Sequence, residues 1–208
     1  WMKNLRDTAY RESSQLAKEK GAFQLFDAEA YMKSPNIKML PEDIQKDIKE
    51  FGIRNALLTS IAPTGTISLL ADNVSSGVEP VFAFNYERTV LRPDGSKSIE
   101  PVHDYAYQIY LNLKGNITSL PEAFVSAHSL RPEDHLVMQS TVQKYIDSSI
   151  SKTINCPENI SFEDFENIYQ QAYDLGCKGC TTYRPNKITG SVLSTHSDVS
   201  EKEHSASI

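Results

Sequence analysis

The chain has 208 residues, 39% of them hydrophobic, and a net charge of −6 at pH 7. A chain of this length buries roughly 70% of its unfolded surface, so a packed core is feasible. The acidic balance argues against general nucleic-acid or membrane-surface binding, no apolar run approaches the ~20 residues of a membrane helix, and the charged start WMKNLRDTAYRESS does not read as a signal peptide. Three cysteines, Cys156, Cys177 and Cys180, make a poor disulfide framework. A reducing cytoplasm is therefore expected. Trp1 precedes Met2, which suggests a piece of something longer.

Residues 1–20 lack Pro and Gly and are rich in helix formers, with Gly21 as a stop, so they predict a helix. PEDIQKDIKEFG (41–52) predicts a second, with Pro41 in its first turn, acids at its positive end and Gly52 closing it. ALLTSIA (56–62) is short, apolar and bounded by Asn55 and Pro63, which predicts a buried strand. VFAFNYERTVL (81–91) has the aromatic and β-branched content of a strand. Arg92-Pro93-Asp94-Gly95 has turn chemistry, so a β-hairpin is expected there.

VHDYAYQIYLNLKG (102–115) and RPEDHLVMQSTVQKYIDSSI (131–150) predict helices. In the first, Tyr105, Ile109 and Leu113 recur at helical spacing. In the second, Leu136, Val137, Met138, Val142, Tyr145 and Ile146 are expected to form one apolar face. ISKTINCP (150–157) should be extended. Ser161 and Asp164 form a variant capping box for a helix over 161–176, which Gly176 ends. CKGCTTYR (177–184) predicts a last strand, and the strand–helix–strand stretches 131–157 and 161–184 suit parallel pairing. The whole pattern is α/β. From Thr189 onward the chain is Ser-rich and polar, which predicts a disordered tail over 189–208 after a folded portion over 1–188.

The stretch APTGTIS (62–68) is the chief candidate site. Backbone N–H groups at a helix start favour an anion, Gly65 permits close approach, and Thr64, Thr66 and Ser68 add hydroxyl donors. No Walker loop is present, since the stretch has no lysine and no second glycine at the required spacing. On physical grounds two readings stay open, an anion seat and an unliganded helix cap.

Cys177-Lys178-Gly179-Cys180 lacks a partner pair for zinc and follows a helix instead of opening one, which favours a structural role. Cys156 reads as a small core residue. His103, His128 and His135 lie in separate segments and read as surface or cap residues. No metal ligand set is identified. The ten tyrosines include no adjacent pair.

Four stretches in order, APTGTIS, SSGVEPVFAFNYERTV, QKYIDSSISKTIN and AYDLGCKGCTTYRPN, resemble the large catalytic subunit of ribonucleotide reductases. The resemblance is greatest to the adenosylcobalamin-dependent class and covers most of residues 1–193. It implies the C-terminal part of a ten-stranded α/β barrel. It also implies that Pro63, Thr64, Gly65, Thr66, Ile67 and Ser68 hold the phosphates of a ribonucleotide substrate, with Ala62 flanking them. The family reduces ribonucleotides by thiyl-radical chemistry, and a dithiol such as thioredoxin restores its active-site cysteines.

No N-P-C-x-E finger-loop string occurs here, and the reductant cysteines do not map onto this chain. No catalytic residue is therefore assigned. The resemblance implies a fragment that needs the upstream half of the barrel for activity, with adenosylcobalamin as the cofactor of the whole enzyme and no cofactor contact assignable here. The missing tyrosine pair counts against the class whose radical arrives from a second subunit. The alternatives are a non-catalytic nucleotide- or anion-binding remnant and a fragment of a class I large subunit.

Overall fold

A computed structural model of the chain describes residues 1–115, 119–127 and 129–185. The expected polar tail over 189–208 lies outside them, as does His128. The chain divides into two compact units that interleave along the sequence. Of the described residues, the first comprises Trp1–Ala62, Leu136–Ser151 and Gln170–Cys180, and the second those within 63–135, 152–169 and 181–185. Among the described residues no helix is long and apolar enough to cross a membrane.

The first unit opens with α1 (Met2–Lys20), as the lack of breakers predicts, and Gly21 closes it at φ 79°. Two short helices follow, α2 (Ala28–Met32) and α3 (Pro35–Lys38), then α4 (Glu42–Phe51), which carries Glu42 and Asp43 in its first turn. Ile44 and Ile48, one turn apart on α4, are fully buried with Tyr10, Ile37, Leu40 and Ile53. Phe23, Phe26 and Tyr31 pack their rings edge-on around this cluster. Burial of each isoleucine contributes about 1.5–3 kcal/mol.

Residues 56–62 do not form the expected buried strand. Leu57 is 67% exposed, and Ile61 makes one parallel bridge, to Ile150. The physical reason is a competing acceptor. The Asp147 carboxylate takes the N–H groups of Leu58 and Thr59 at 2.7 and 2.8 Å, the Thr59 hydroxyl at 3.2 Å and the Tyr10 hydroxyl at 3.2 Å. Backbone donors that a neighbouring strand would have used are satisfied by one side chain. Burial, and then the charge of Asp147, raises the Tyr10 hydroxyl far above its ordinary value, and the same two causes push Tyr31 up to about 12. Tyr10 therefore stays a donor at any ordinary pH.

In the second unit, α5 (Gly65–Leu70) follows Pro63. The expected strand over 81–91 is shortened to β1 (Asn85–Leu91), because Val81 instead bridges Ser126. β1 pairs antiparallel with β2 (Lys97–His103) around the expected turn at Arg92–Gly95. The helix predicted from Val102 starts later, as α6 (Tyr105–Lys114), since Val102 and His103 are held in the hairpin and Asp104 caps the Tyr107 N–H at 2.9 Å.

α7 (Pro132–Gln143) ends sooner than the expected 131–150. Its apolar face is also not the one expected. Val137 and Met138 are more than half exposed, whereas Gln139, Ser140 and Gln143 are buried beside Leu136 and Val142. The Gln139 amide donates to the Gly179 carbonyl at 2.5 Å, and the Gln143 amide donates to the carbonyls of Ile146 and Ser148. The last of these interactions turn the chain out of the helix.

β3 (Thr153–Asn155), α8 (Phe162–Asp174) and β4 (Thr181–Tyr183) form the expected strand–helix–strand, with β3 and β4 parallel. Ser161 accepts the Asp164 N–H at 3.0 Å and donates to its carboxylate at 2.7 Å, the predicted capping box. At the other end the Cys177 N–H bonds to the Ala172 carbonyl across Gly176 at φ 76°, a Schellman closure.

The Asp147 cluster generates a stability prediction. Asp147→Ala leaves the buried Tyr10 hydroxyl and the half-buried N–H groups of Leu58 and Thr59 without an acceptor and should cost ~3 kcal/mol. Urea unfolding of the chain checks it; a loss under about 0.5 kcal/mol, the range of ordinary surface substitutions, would contradict the role given to this carboxylate.

Candidate functional site

The stretch 62–68 enters α5 through an unusual backbone. Thr64 lies in the left-handed region at φ 51°, and the Ser68 N–H reaches its carbonyl at 2.8 Å as the first helical bond. The N–H groups of Gly65, Thr66 and Ile67 precede that bond, so the helix supplies them no acceptor. Thr66 and Ile67 are exposed, and Ser68 is buried. A Cβ built on Gly65 meets nothing within 4 Å. Ala62 is exposed and belongs to the first unit, whereas Pro63–Ser68 belong to the second.

The three hydroxyls read from the sequence are not equivalent. The Thr64 hydroxyl oxygen accepts the Gly77 N–H at 2.8 Å and keeps its own proton for another acceptor. Ser68 donates its proton to the Val74 carbonyl. Thr66 is left exposed as a donor. Gly65, Thr66 and Ser68 line a cavity of about 540 Å³, with Asn73, Ser75, Ser76, Tyr86 and Arg88 among its other walls. Three N–H groups, the Thr64 and Thr66 hydroxyls and open space over Gly65 together make a surface that can donate hydrogen bonds to an anion.

What holds this loop was not read from the sequence. Gly77, at φ 57°, turns the chain so that its N–H meets Thr64, and the next residues bring Glu79 inward. Glu79 accepts the Lys152 ammonium at 2.6 Å and the Thr153 N–H at 2.5 Å. Lys152, 2% exposed, also donates to the Thr153 carbonyl at 2.5 Å and meets His135 Nδ1 at 2.8 Å. The ammonium has three protons and three acceptors.

His135 is correspondingly not the surface or cap residue expected; it is 1% exposed. Its Nε2 lies 3.3 Å from the Ala127 carbonyl, which can only accept. The network therefore assigns the ring proton to Nε2 and the lone pair to Nδ1, facing Lys152. Burial is the main cause that pushes His135 below its ordinary value, followed by the Lys152 charge, while the Ala127 carbonyl, Glu79 and Asp134 oppose them. Lys152 is also lowered by burial, and Glu79 pulls it back.

One signal could have found this network. Ile150, Lys152, Ile154 and Cys156 are all buried, so a lysine occupies an inward position of an alternating segment. A lysine in that register requires a buried partner.

The thiols read differently from activated cysteines. Burial raises Cys156, Cys177 and Cys180, and Cys180 raises Cys177 further, so all three are protonated at neutral pH.

The His135 shift sets a pH dependence. A neutral, buried His135 binds its second proton less readily folded than unfolded, so stability is present above the ordinary value of 6.5 and is lost as pH falls below it. The loss contributed by this one group is at most about 1.4 kcal/mol per pH unit. His135→Gln retains a donor and an acceptor and should flatten that part of the profile as pH falls below about 6.5. Urea unfolding across this range checks it; wild-type and variant profiles of equal slope would contradict the assignment.

The family model of the ribonucleotide reductase barrel domain matches residues 1–183. A vitamin B12-dependent ribonucleoside-diphosphate reductase of Thermoplasma acidophilum is 34% identical over 208 residues, covering 92% of this chain and 25% of that protein. One from Mycobacterium tuberculosis (strain CDC 1551 / Oshkosh) is 32% identical, over 93% of this chain and 28% of that protein. The chain thus spans about a quarter of the length of these curated relatives. Among solved structures, the class Id ribonucleotide reductase alpha subunit of Actinobacillus ureae is similar with a TM-score of 0.59 at 21% identity, over 89% of this chain and 33% of that one. That likeness speaks to the fold, which is the ribonucleotide reductase barrel fold. The chain belongs to the ribonucleotide reductase barrel-domain family.

Proposed function

We propose that this chain supplies the substrate-phosphate side of the active site of an adenosylcobalamin-dependent ribonucleotide reductase. Pro63, Thr64, Gly65, Thr66, Ile67 and Ser68 surround the phosphates of a ribonucleotide, and Ala62 flanks them. The observation that carries the reading is that Gly65 and Thr66, whose first-turn N–H groups the helix leaves without an acceptor, line a cavity of about 540 Å³, with open space over Gly65. The first-turn N–H groups and the Thr66 hydroxyl bind the anion. Pro63 and the left-handed Thr64 aim those groups, and Ser68, tied to Val74, keeps the turn closed. The role is positioning: holding the phosphates places the ribose relative to the reacting side of the site.

The vitamin B12-dependent names of the relatives support the cofactor class, as does the absence of adjacent tyrosines in the sequence. Each of the two cavities of about 360 and 540 Å³ lined by described residues is smaller than a whole cobalamin. No residue of this chain is assigned to the cofactor, and no step is derived through it. In this reading the upstream half of the barrel completes the site, a dithiol such as thioredoxin reduces the whole enzyme, and the protein works in the cytoplasm.

Two outcomes follow. The purified chain, given a ribonucleotide, adenosylcobalamin and a dithiol, should form no deoxyribonucleotide; turnover by the chain alone would contradict the reading. Gly65→Ala should leave thermal unfolding essentially unchanged, since the added methyl meets no protein atom. It should weaken binding of a ribonucleoside diphosphate by about tenfold, ~1.4 kcal/mol. Unaltered binding in a folded Gly65→Ala variant would place the phosphates elsewhere.

A further inference from the structure

The loop proposed to hold the phosphates contains no cation. Residues 62–80 include no lysine, arginine or histidine, and they do include Asp72 and Glu79. A nucleoside diphosphate carries two to three negative charges, and backbone dipoles and hydroxyls offset only part of such a charge. The cavity beside the loop holds the missing element. Among the described residues lining it, Arg88 is the one charged side chain of either sign; the polar walls are otherwise hydroxyls and the Asn73 amide.

The fold turns Arg88 toward this cavity and leaves it uncommitted. Tyr86 and Arg88 alternate along β1 and so share a face of the hairpin. The Tyr86 hydroxyl donates to Asn73 Oδ1 at 3.0 Å, and the Asn73 amide donates to the His103 carbonyl at 3.0 Å. These two bonds fasten both hairpin strands to the end of the helix that begins at Gly65. The cross-strand neighbour of Arg88 is Glu100, a natural partner for it. That carboxylate is taken by Arg92 at 3.0 Å. Arg88 makes no side-chain hydrogen bond or ion pair with any described residue. A half-buried arginine that pairs with no described carboxylate, in a cavity with no acid among its described walls, suits a planar, bidentate contact to a phosphate.

We infer that Arg88 is a phosphate-binding residue of this site: it pairs with the phosphates of the ribonucleotide from the wall of the same cavity that β1 supplies, and adds the charge that the loop lacks. This rests on the loop reading given above and deepens it. Arg88 fixes the phosphate end of the substrate by charge, and the loop fixes it by direction.

The experiment is a calorimetric titration of the 208-residue chain with inorganic pyrophosphate at several salt concentrations, for wild type, Arg88→Gln, Arg88→Lys and Gly65→Ala. Thermal unfolding confirms that each variant is folded. Wild type should bind with an affinity that falls as salt rises. Arg88→Gln should bind at least tenfold more weakly with a shallower salt dependence. Arg88→Lys should restore the salt dependence and part of the affinity, which a merely structural role would not predict. If Arg88→Gln binds like wild type while Gly65→Ala loses binding, the loop reading stands and the assignment of Arg88 is overturned. Salt-independent binding by the wild type overturns it as well, without recourse to any variant. If the wild type does not bind pyrophosphate, the loop reading falls and takes Arg88 with it.

Discussion

The Lys152 ammonium is the constraint on which the second unit depends. Removing such a charge from water costs several kcal/mol unless every proton finds an acceptor. Here the acceptors are Glu79, His135 and the Thr153 carbonyl. Each belongs to a different part of the unit: the turn after the candidate loop, the start of α7 and the start of β3. Satisfying one cation therefore fixes three segments at once. From Glu79 the constraint passes through Gly77 to the Thr64 hydroxyl, which sets the entry into α5. The backbone of the loop is thus held from outside, by a charge that must be satisfied.

The first unit uses the same device with the opposite sign. Asp147 accepts from Tyr10, Leu58 and Thr59, and so holds a segment that forms no strand. Both charges lie in one short stretch, KYIDSSISK, between α7 and β3. Asp147 fastens irregular backbone within the first unit, and Lys152 does so within the second. Buried charges suit this purpose because losing a partner is costly, and they specify one arrangement where apolar packing would accept several.

How much of this was legible in the sequence follows from which forces are local. Several helix ends were legible, because caps are short-range chemistry: Gly21, Gly52, Ser161 and Gly176 all stand where helices start or stop. The hairpin and the parallel β3–β4 pair were legible from turn residues and from the strand–helix–strand spacing. The run 56–62 misled, because apolar content cannot show that a carboxylate far along the chain will take its N–H groups. α7 misled for the converse reason: its buried stripe is Gln139, Ser140 and Gln143, and a hydrophobic pattern does not see amides that bury themselves on carbonyls. At the candidate site, the loop was visible as a run of small and hydroxyl residues. Glu79, Lys152, His135 and Arg88 were not, since their meaning lies in partners made, or lacked, in three dimensions.

In the proposed reading, a loop without a cation, held from behind by a buried ion pair, shares a cavity with an arginine that pairs with no described residue, and the work is divided between geometry and charge. The account places the phosphates of a ribonucleotide against the first turn of α5. The most direct test is amide NMR of the isotope-labelled chain titrated with a ribonucleoside diphosphate. The account predicts that the largest shifts fall on Gly65, Thr66, Ile67 and Ser68, with Gly77 following through Thr64. Saturable shifts centred elsewhere, with these amides unmoved, would contradict it.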